Sequence, residues 1–600
     1  MYNSIDTILK DVYGYSSFRL DQKKIIEHVL QGDDALVIMP TGGGKSLCYQ
    51  IPALAKDGFA IVISPLIALM NDQVNALQGL GVAAYTLHSN QTSEERQKIN
   101  EDIDQGKLKL LYVSPEKILS DRFIDYLSSK NVSLIAIDEA HCVSVWGNDF
   151  RPDYVALKVL KKNFPNIPLI ALTATADAAT QSDIKNQLNF PNAPTFLSSF
   201  ERNNITVEAR PGQQRIQQIL NWVHRRKGQA GIIYCLSRKS TESVAAKLQA
   251  QGYLAECYHA GLDSSIRTSV QKQFTDDKID IVCATIAFGM GIDKPNIRYV
   301  IHYSMPKNIE AYYQEIGRAG RDGEDSEALL FYSWGDLQNL QRFIDESPST
   351  DVFKEVQSAK LERVWSYANT KNCRTNFVLN YFGEYRNTPC NHCDNCKNPP
   401  KFIDGTTYAK MLISGIIRTN QTLTMGLLID MLRGSYRKEV TELNLDKIKT
   451  YGVGREVPHL HWVQYVTQMI NQGIVQLDFS DKSRLKLTPI SYQILKDEVQ
   501  VQLAEYEKFD PKKQKKVKVE KIQVDLSDMD MLLFKRLKVW RAQTAVDKNV
   551  PAFVIFHDKT LRQIATLKPT TDQELLRVEG VGKQKLADYS TSIISIVKEY

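Results

Sequence analysis

The sequence predicts an α/β chain: two lobes built on parallel sheets, followed by smaller, mainly helical modules. Three observations carry this. Apolar runs at ALVIM (35–39), FAIVIS (59–64), LKLLYVS (108–114), LIAID (134–138) and PLIALTA (168–174) alternate with helix-like stretches. Strands that are apolar throughout belong in sheets covered on both faces by helices. The pattern then restarts at AGIIYC (230–235), LAECYHA (254–260), IDIVCAT (279–285), IRYVIHY (297–303) and EALLFY (327–332), with no repeat at the level of sequence. Beyond 335 the character changes. A helical stretch breaks into a segment rich in Cys, Asn and Pro that ends at Pro399–Pro400; residues 402–508 alternate helix patterns with a final hairpin signal, and a compact helical segment follows from about 525.

Composition agrees with several globular domains. At roughly 150 residues each, the chain has room for about four. A hydrophobic content of 43% and a charged content of 24% exclude collagen-like, disordered and coiled-coil chains. No apolar run approaches the roughly 18 residues needed to span a bilayer. The opening MYNSIDTILKDVYGY lacks the basic start and apolar core of a signal peptide. The expectation is a soluble, cytoplasmic protein with no membrane partner. Net charge is +6, and six Lys with one Glu in PKKQKKVKVEK (511–521) supply most of it. Any basic surface elsewhere must therefore be local. Nine Cys, an odd number, argue against a disulfide framework.

MPTGGGKS (39–46) follows an apolar strand and precedes a helix pattern, LCYQIPALA. Thr41, Gly42, Gly43 and Gly44 let successive backbone N–H groups face phosphate, and the helix N-terminus adds positive potential. Lys45 is placed to reach the β- and γ-phosphates, and the Ser46 hydroxyl to ligate Mg²⁺. Met39 stands where the general pattern has Gly. LIAIDEAH (134–141) is a second apolar strand, ending in acid. Asp138 can hold Mg²⁺ through water, and Glu139 can orient and deprotonate an attacking water. A third element, QEIGRAGRDG (314–323), spaces Arg318 and Arg321 three apart on a Gly-broken segment. Arginines reaching across a cleft stabilise the charge that develops on a transferring phosphoryl group.

The stretch HCVSVWGNDFRPDY (141–154) gathers Trp146, Phe150, Arg151 and Tyr154 directly after the acidic turn. Aromatics that stack on bases and an Arg on phosphate suit a single strand held without sequence readout. Cys373, Cys390, Cys393 and Cys396 form a C-x₁₆-C-x₂-C-x₂-C set, enough thiolates for a closed, tetrahedral Zn²⁺ site. An iron–sulfur cluster is the competing occupant, and His392 lies inside the cluster as a further donor.

TGGGKS, DEAH, LTATA (172–176), ATIAFGMGIDKPNIR (284–298) and QEIGRAGRDG, in this order, resemble superfamily 2 helicases and specifically the RecQ family, over nearly the whole chain. Met39 is ordinary in that superfamily. The resemblance implies RecA-like lobes at 1–200 and 201–334, a zinc-binding subdomain at 335–400, a winged helix at 401–508, a Lys-rich linker at 509–524 and a helicase-and-RNase-D C-terminal (HRDC) domain at 525–600. In YSSFRLDQ (15–22) it implies that Tyr15, Arg19 and Gln22 hold adenine. Gln314 joins Arg318 and Arg321 in completing the ATP site, and Thr173 and Thr175 link that site to DNA. The implied cofactors are ATP, Mg²⁺ and Zn²⁺, and the implied activity is 3′→5′ translocation with unwinding of duplex or forked DNA in recombination and repair. Single-strand-binding protein and a type I topoisomerase are the partners the resemblance suggests.

In the winged helix the expected recognition helix lies in HLHWVQYVTQMINQGIVQL (459–477), with Lys449 and Arg455 ahead of it for phosphate. The hairpin tip, Ser480–Ser483, carries no aromatic, so no strand-separating wedge is assigned to it. In the last module Phe553 is a candidate for base stacking. Gly580, Gly582 and Lys583 open a helix and are candidates for phosphate. Two other readings remain open from the residues: an RNA helicase, and a DNA-binding module that uses its ATPase only as a switch.

Overall fold

A computed structural model describes residues 4–87, 91–144, 151–176, 178–289, 294–384, 386, 388–478, 484–506, 528–548 and 550–600. The first lobe is a parallel seven-stranded sheet. Its strands are β1 (Ala35–Ile38), β2 (Phe59–Ile63), β3 (Ala84–Leu87), β4 (Leu110–Val113), β5 (Val132–Ile137), β6 (Leu169–Thr173) and β7 (Thr195–Leu197). The order is β3-β4-β2-β5-β6-β1-β7. Every residue of β1, β2, β4 and β6 is buried, as the unbroken apolar runs require. Because β5, β6 and β1 are neighbours, the loops leaving their C-terminal ends lie side by side. Those loops carry the phosphate loop, the DEAH turn and the LTATA segment. Ligands of open α/β sheets bind at this edge.

The second lobe is a parallel six-stranded sheet of β8 (Ile205–Pro211), β9 (Ala230–Tyr234), β10 (Ala255–Tyr258), β11 (Ile281–Ala284), β12 (Ile297–His302) and β13 (Ser326–Tyr332), ordered β10-β11-β9-β12-β13-β8. At the centre of this sheet Gly231 faces the Tyr299 ring so closely that a Cβ would overlap it. Gly231→Ala is therefore expected to destabilise the chain by about 1–3 kcal/mol, the usual range for overpacking. Urea unfolding followed by circular dichroism reads this directly.

Three strands lie outside the apolar runs of the sequence: β3, β7 and β8. All sit at or next to free sheet edges, where one face need not be apolar. The run ITVEARP in β8 alternates buried with half-buried positions, yet it pairs with β13 over seven residues.

Helices Trp334–Asp345, Asp351–Asn369 and Arg374–Tyr381 follow, then the Cys-rich turn. One continuous apolar core runs from the first lobe through the second and into this subdomain, ending at the fully buried Cys393. The next module has its own core, with helices Thr406–Arg418, Met425–Arg433 and His459–Asn471 and an antiparallel hairpin of Val475–Asp478 with Arg484–Leu487. This is the arrangement of a winged helix. A second short pairing, Phe402–Asp404 with Gln502–Ala504, closes its base and has no counterpart in the sequence reading. The hairpin tip lies outside the described residues, as does the Lys-rich segment.

The last module, with helices Asp528–Asp547, Asp558–Leu567 and Lys583–Lys598, also has a separate core. It docks onto the start of the chain. The Gly580 N–H donates to the Gly14 carbonyl (3.0 Å), and Lys583 pairs with Asp11 (2.8 Å). Gly14 adopts φ +73°, and a Cβ there would meet the Val581 backbone at 2.8 Å. Only glycine permits both that conformation and that approach.

Candidate active site and metal centre

The phosphate loop leaves β1 through two left-handed glycines, Gly42 (φ +82°) and Gly44 (φ +79°), and enters helix Leu47–Ala55. Lys45 donates to the Met39 carbonyl at 3.1 Å. Burial lowers its pKa, against the pull of Glu139 and Asp138. Gln22 is almost fully buried, and its amide nitrogen donates to the Gly43 and Gly44 carbonyls (3.2 and 3.0 Å). Its amide oxygen accepts the Arg19 N–H at 2.8 Å. Both ends of the Gln22 amide are thus occupied by backbone. This differs from the sequence reading, in which that amide faced a base: here it braces the loop. Arg19 pairs with Glu579 of the last module (3.3 Å), and Tyr15 lines the cleft beside the phosphate loop.

The DEAH turn follows β5. Glu139 holds a left-handed backbone (φ 49°, ψ 44°), a conformation that costs a non-glycine residue and is found where function demands it. Asp138 and Glu139 are adjacent, half-buried carboxylates. Burial and the Glu139 charge push the Asp138 pKa up. Burial acts the same way on Glu139 but is outweighed by the hydrogen bond and charge of His141, so its pKa is lowered. His141 Nδ1 lies 3.3 Å from the Glu139 carboxylate and 2.9 Å from Thr173 Oγ1. The Thr175 N–H donates to the same hydroxyl at 3.3 Å. One imidazole therefore joins the acidic turn to the LTATA segment. Asp138, Glu139 and the Ser46 hydroxyl line the same cleft, and hard oxygen donors of this kind suit a divalent cation.

From the second lobe, helix Ile309–Ile316 and the turn after it bring Gln314, Arg318 and Arg321 to the same cleft. Arg318 bonds the Gly289 carbonyl. The cleft encloses about 470 Å³ and is lined by Thr41, Lys45, Ser46, Asp138 and Glu139 from one lobe and by these three residues from the other. All six residues given catalytic roles in the sequence reading are thus brought together.

The cleft has a third wall. Phe553, Val554, His557, Gly580 and Lys585 of the last module line it as well. Phe553 and Gly580, read from sequence as DNA contacts, are placed here, and Lys583 is placed on Asp11. Burial alone lowers the Lys585 pKa from 10.5 to about 8. A lysine whose folded value is depressed destabilises the fold fully below that value. The effect fades as pH rises towards the unfolded value, since only then do both states lose the proton. Lys585→Met is therefore expected to raise the melting temperature at pH 7, and the gain should shrink steadily from pH 8 to pH 10. Differential scanning calorimetry of both proteins across that range checks it.

Of the aromatic stretch, Trp146 and Phe150 lie outside the described residues. Arg151 donates to the Pro65 carbonyl at 3.2 Å. Tyr154 corrects the sequence reading. It is fully buried, and its hydroxyl donates to the Asp138 carbonyl at 3.1 Å, so the ring is not available to stack on a base. In the winged helix, Lys449 and Arg455 are exposed, whereas most of the expected recognition helix is core. Gln468 in that helix bonds both polar groups of Ala504 (3.1 and 2.6 Å).

The sulfurs of Cys373, Cys390, Cys393 and Cys396 all lie within 4.8 Å of one another. Cys390 and Cys396 are 3.9 Å apart, close to the tetrahedral edge of about 3.8 Å that Zn–S bonds of about 2.3 Å produce. Backbone N–H groups of Cys390 and Asn376 point at the Cys373 sulfur (3.4 and 3.5 Å). Four mutually adjacent sulfurs, one of them met by two backbone N–H groups, fit Zn²⁺. His392 turns its Nδ1 to the Cys390 carbonyl (2.8 Å) and is not part of the set.

Two RecA-like lobes that close on a phosphate loop, a DEAH turn and a two-arginine turn define a superfamily 2 helicase. The sequence matches the DEAD/DEAH box helicase family at 19–184 and the helicase conserved C-terminal domain at 213–323. It also matches the RecQ zinc-binding domain at 334–397, the RQC domain at 399–512 and the HRDC domain at 530–597. It is 43% identical to the ATP-dependent DNA helicase RecQ of Haemophilus influenzae, covering 99% of this chain and 96% of that one. Identity is 41% to the Pasteurella multocida protein of the same name (99% and 93% covered) and 36% to that of Bacillus subtilis (100% and 99%). The chain belongs to the RecQ family of ATP-dependent DNA helicases, enzymes that use ATP with Mg²⁺ and carry Zn²⁺. Among the described residues, no helix is long and apolar enough to cross a membrane.

Proposed function

We propose that the chain travels 3′→5′ on single-stranded DNA and opens duplex and forked DNA in recombination and repair. The observation that carries this is the single cleft in which Lys45, Glu139 and the Arg318–Arg321 turn meet from two lobes. Lys45 and the amides of Thr41 to Gly44 hold the phosphates, while Ser46 and Asp138 are the seat for Mg²⁺. The ion, when bound, neutralises charge on the phosphates. Glu139 takes the proton of the attacking water. Gln314, Arg318 and Arg321 complete the site only when the lobes close, which couples closure to the γ-phosphate. Tyr15 flanks the base. The contact between His141 and Thr173 supports LTATA as the link to the DNA-binding face, with Arg151, Lys449 and Arg455 as phosphate contacts. Trp146 and Phe150 are the proposed stacking residues.

On this reading the protein works in the cytoplasm, at the nucleoid of a bacterial cell. Single-strand-binding protein and a type I topoisomerase are proposed partners by family resemblance. The test is strand separation on one labelled duplex carrying either a 3′ or a 5′ tail, with Lys45→Ala beside the parent. Unwinding from the 3′ tail alone, lost in the variant, is expected. Hydrolysis without unwinding from either tail would leave an ATP-switched binding module.

A further inference from the structure

The segment that joins the two lobes, residues 198–204, makes a contact that no motif announces. The Arg202 guanidinium bonds the Thr41 carbonyl in the phosphate loop. Its other terminal N–H groups reach the Gly317 (3.4 Å), Ala319 (3.2 Å) and Gly320 (3.3 Å) carbonyls. Those three carbonyls belong to the turn that carries Arg318 and Arg321. One side chain thus bonds backbone from both lobes, on the two loops that must meet around phosphate. Arg202 is not among the residues that line the cleft. Its four terminal N–H groups are all engaged by carbonyls, so none is left to donate to a nucleotide.

The bond to Thr41 has a specific consequence. In a trans peptide the C=O and the following N–H point in opposite directions. Fixing the Thr41 carbonyl against Arg202 therefore fixes the opposite direction for the Gly42 N–H. Gly42 adopts φ +82°, where glycine has more conformations open to it than other residues, so the tie to Arg202 narrows its choice. On the other side, carbonyls before and after Arg318 are held, which fixes the turn that aims both arginines. The linker itself is clamped from behind by the Cys-rich subdomain. Glu384 accepts the Phe200 N–H (2.9 Å) and the Ser199 hydroxyl (2.8 Å), and Arg386 pairs with Glu201 at 2.6 Å. The Phe382 ring stacks on Phe200 at 4.2 Å.

We propose that Arg202 is a positioning residue for ATP hydrolysis, setting the register between the phosphate loop and the arginine-bearing turn. The proposal rests on the assignment of ATP hydrolysis to this cleft. Lysine cannot replace it: an ammonium is a point donor, and four carbonyls spread over two loops need a planar fork.

The experiment compares Arg202→Ala and Arg202→Lys with the parent in the full chain, at saturating oligodeoxythymidylate. It reads kcat and KM for ATP, with zinc content and melting temperature as measures of the fold. The expected result is a kcat lower by about 10²-fold in the Ala variant, the scale set by misplaced reacting groups, with KM changed less than about threefold. The Lys variant should lose at least about tenfold in kcat, and millimolar guanidinium ion should restore part of the Ala variant's kcat. A kcat equal to the parent's in either variant overturns the proposal, as does a raised KM at unchanged kcat. Loss of zinc and of melting temperature in both variants also overturns it, making Arg202 a residue of the fold. A parent chain that does not hydrolyse ATP, or a Lys45→Ala variant that does, would instead overturn the assignment of the cleft.

Discussion

Glu139→Gln is expected to lower kcat for ATP hydrolysis by about 10³-fold, within the range for removing a general base, while ATP and Mg²⁺ still bind. The substitution keeps the shape of the side chain and removes its negative charge and its ability to take a proton. The phosphate loop, Lys45 and Ser46 are untouched, so affinity for nucleotide should hold within a few-fold. The left-handed backbone at Glu139 is set by the turn between β5 and the short helix Ala140–Val143, and Gln tolerates it as Glu does. His141 would lose its carboxylate partner and keep Thr173. Single-turnover hydrolysis beside equilibrium binding of a fluorescent ATP analogue separates the two quantities. A variant that loses binding and turnover together would make Glu139 a structural part of the phosphate site.

The second large effect is expected at the cysteine cluster. Cys393 is fully buried and ends the apolar core that runs through both lobes. In Cys393→Ser the site should lose its zinc, with a stability loss of about 4–5 kcal/mol or more, the range in which metal-site losses stand out from ordinary substitutions. The damage should not stay local. Phe382, Glu384 and Arg386 hold the interlobe linker, and Arg374 ties the Cys-rich turn to helix Asp351–Asn369 through Asp394 (2.6 Å) and the Tyr367 carbonyl (2.7 Å). That helix in turn meets the second lobe through the buried Lys360–Glu310 pair and the Tyr312–Tyr367 hydroxyl contact. Thermal unfolding with a zinc-release dye should show metal loss and a lowered melting temperature together. ATPase activity should fall at temperatures where the parent is fully active. Retained zinc in the variant would bring His392 into the ligand set.

The parts of this molecule that could be read from sequence are those whose chemistry is confined to a few consecutive residues. A phosphate loop needs its glycines, Lys and Ser in a row, and a buried central strand is apolar throughout whatever surrounds it. The four sulfurs follow from spacing because a metal needs all of them. The remainder depends on which distant segments meet. The edge strands β3, β7 and β8 carry mixed patterns because only part of each is covered. Tyr154 belongs to an aromatic cluster in sequence, yet its ring is consumed by the core under Asp138. Gln22 turns its amide to the Gly43 and Gly44 carbonyls, a contact between segments some twenty residues apart that its own neighbours in sequence do not signal. Arg202 had no signal beyond an arginine in a linker, since its partners are backbone carbonyls of two separate loops. The third wall of the cleft, where Arg19 meets Glu579, joins residues 560 positions apart.

That third wall has one further consequence. The last module meets the first lobe and the rim of the second partly through charged pairs, among them Lys583–Asp11, Arg19–Glu579 and Arg562–Glu324. Covalent connection changes the accounting, because the module meets its dock at an effective concentration on the order of millimolar. Closure is then independent of how dilute the protein is. What competes for the charged groups can shift it: salt, which screens exposed pairs over about 10 Å at 0.1 M, or a polyanion offering phosphates to Arg19, Arg562 and Lys583. The amount of enzyme in the cell would not set how often the ATP cleft is covered; the ions and nucleic acid around it would.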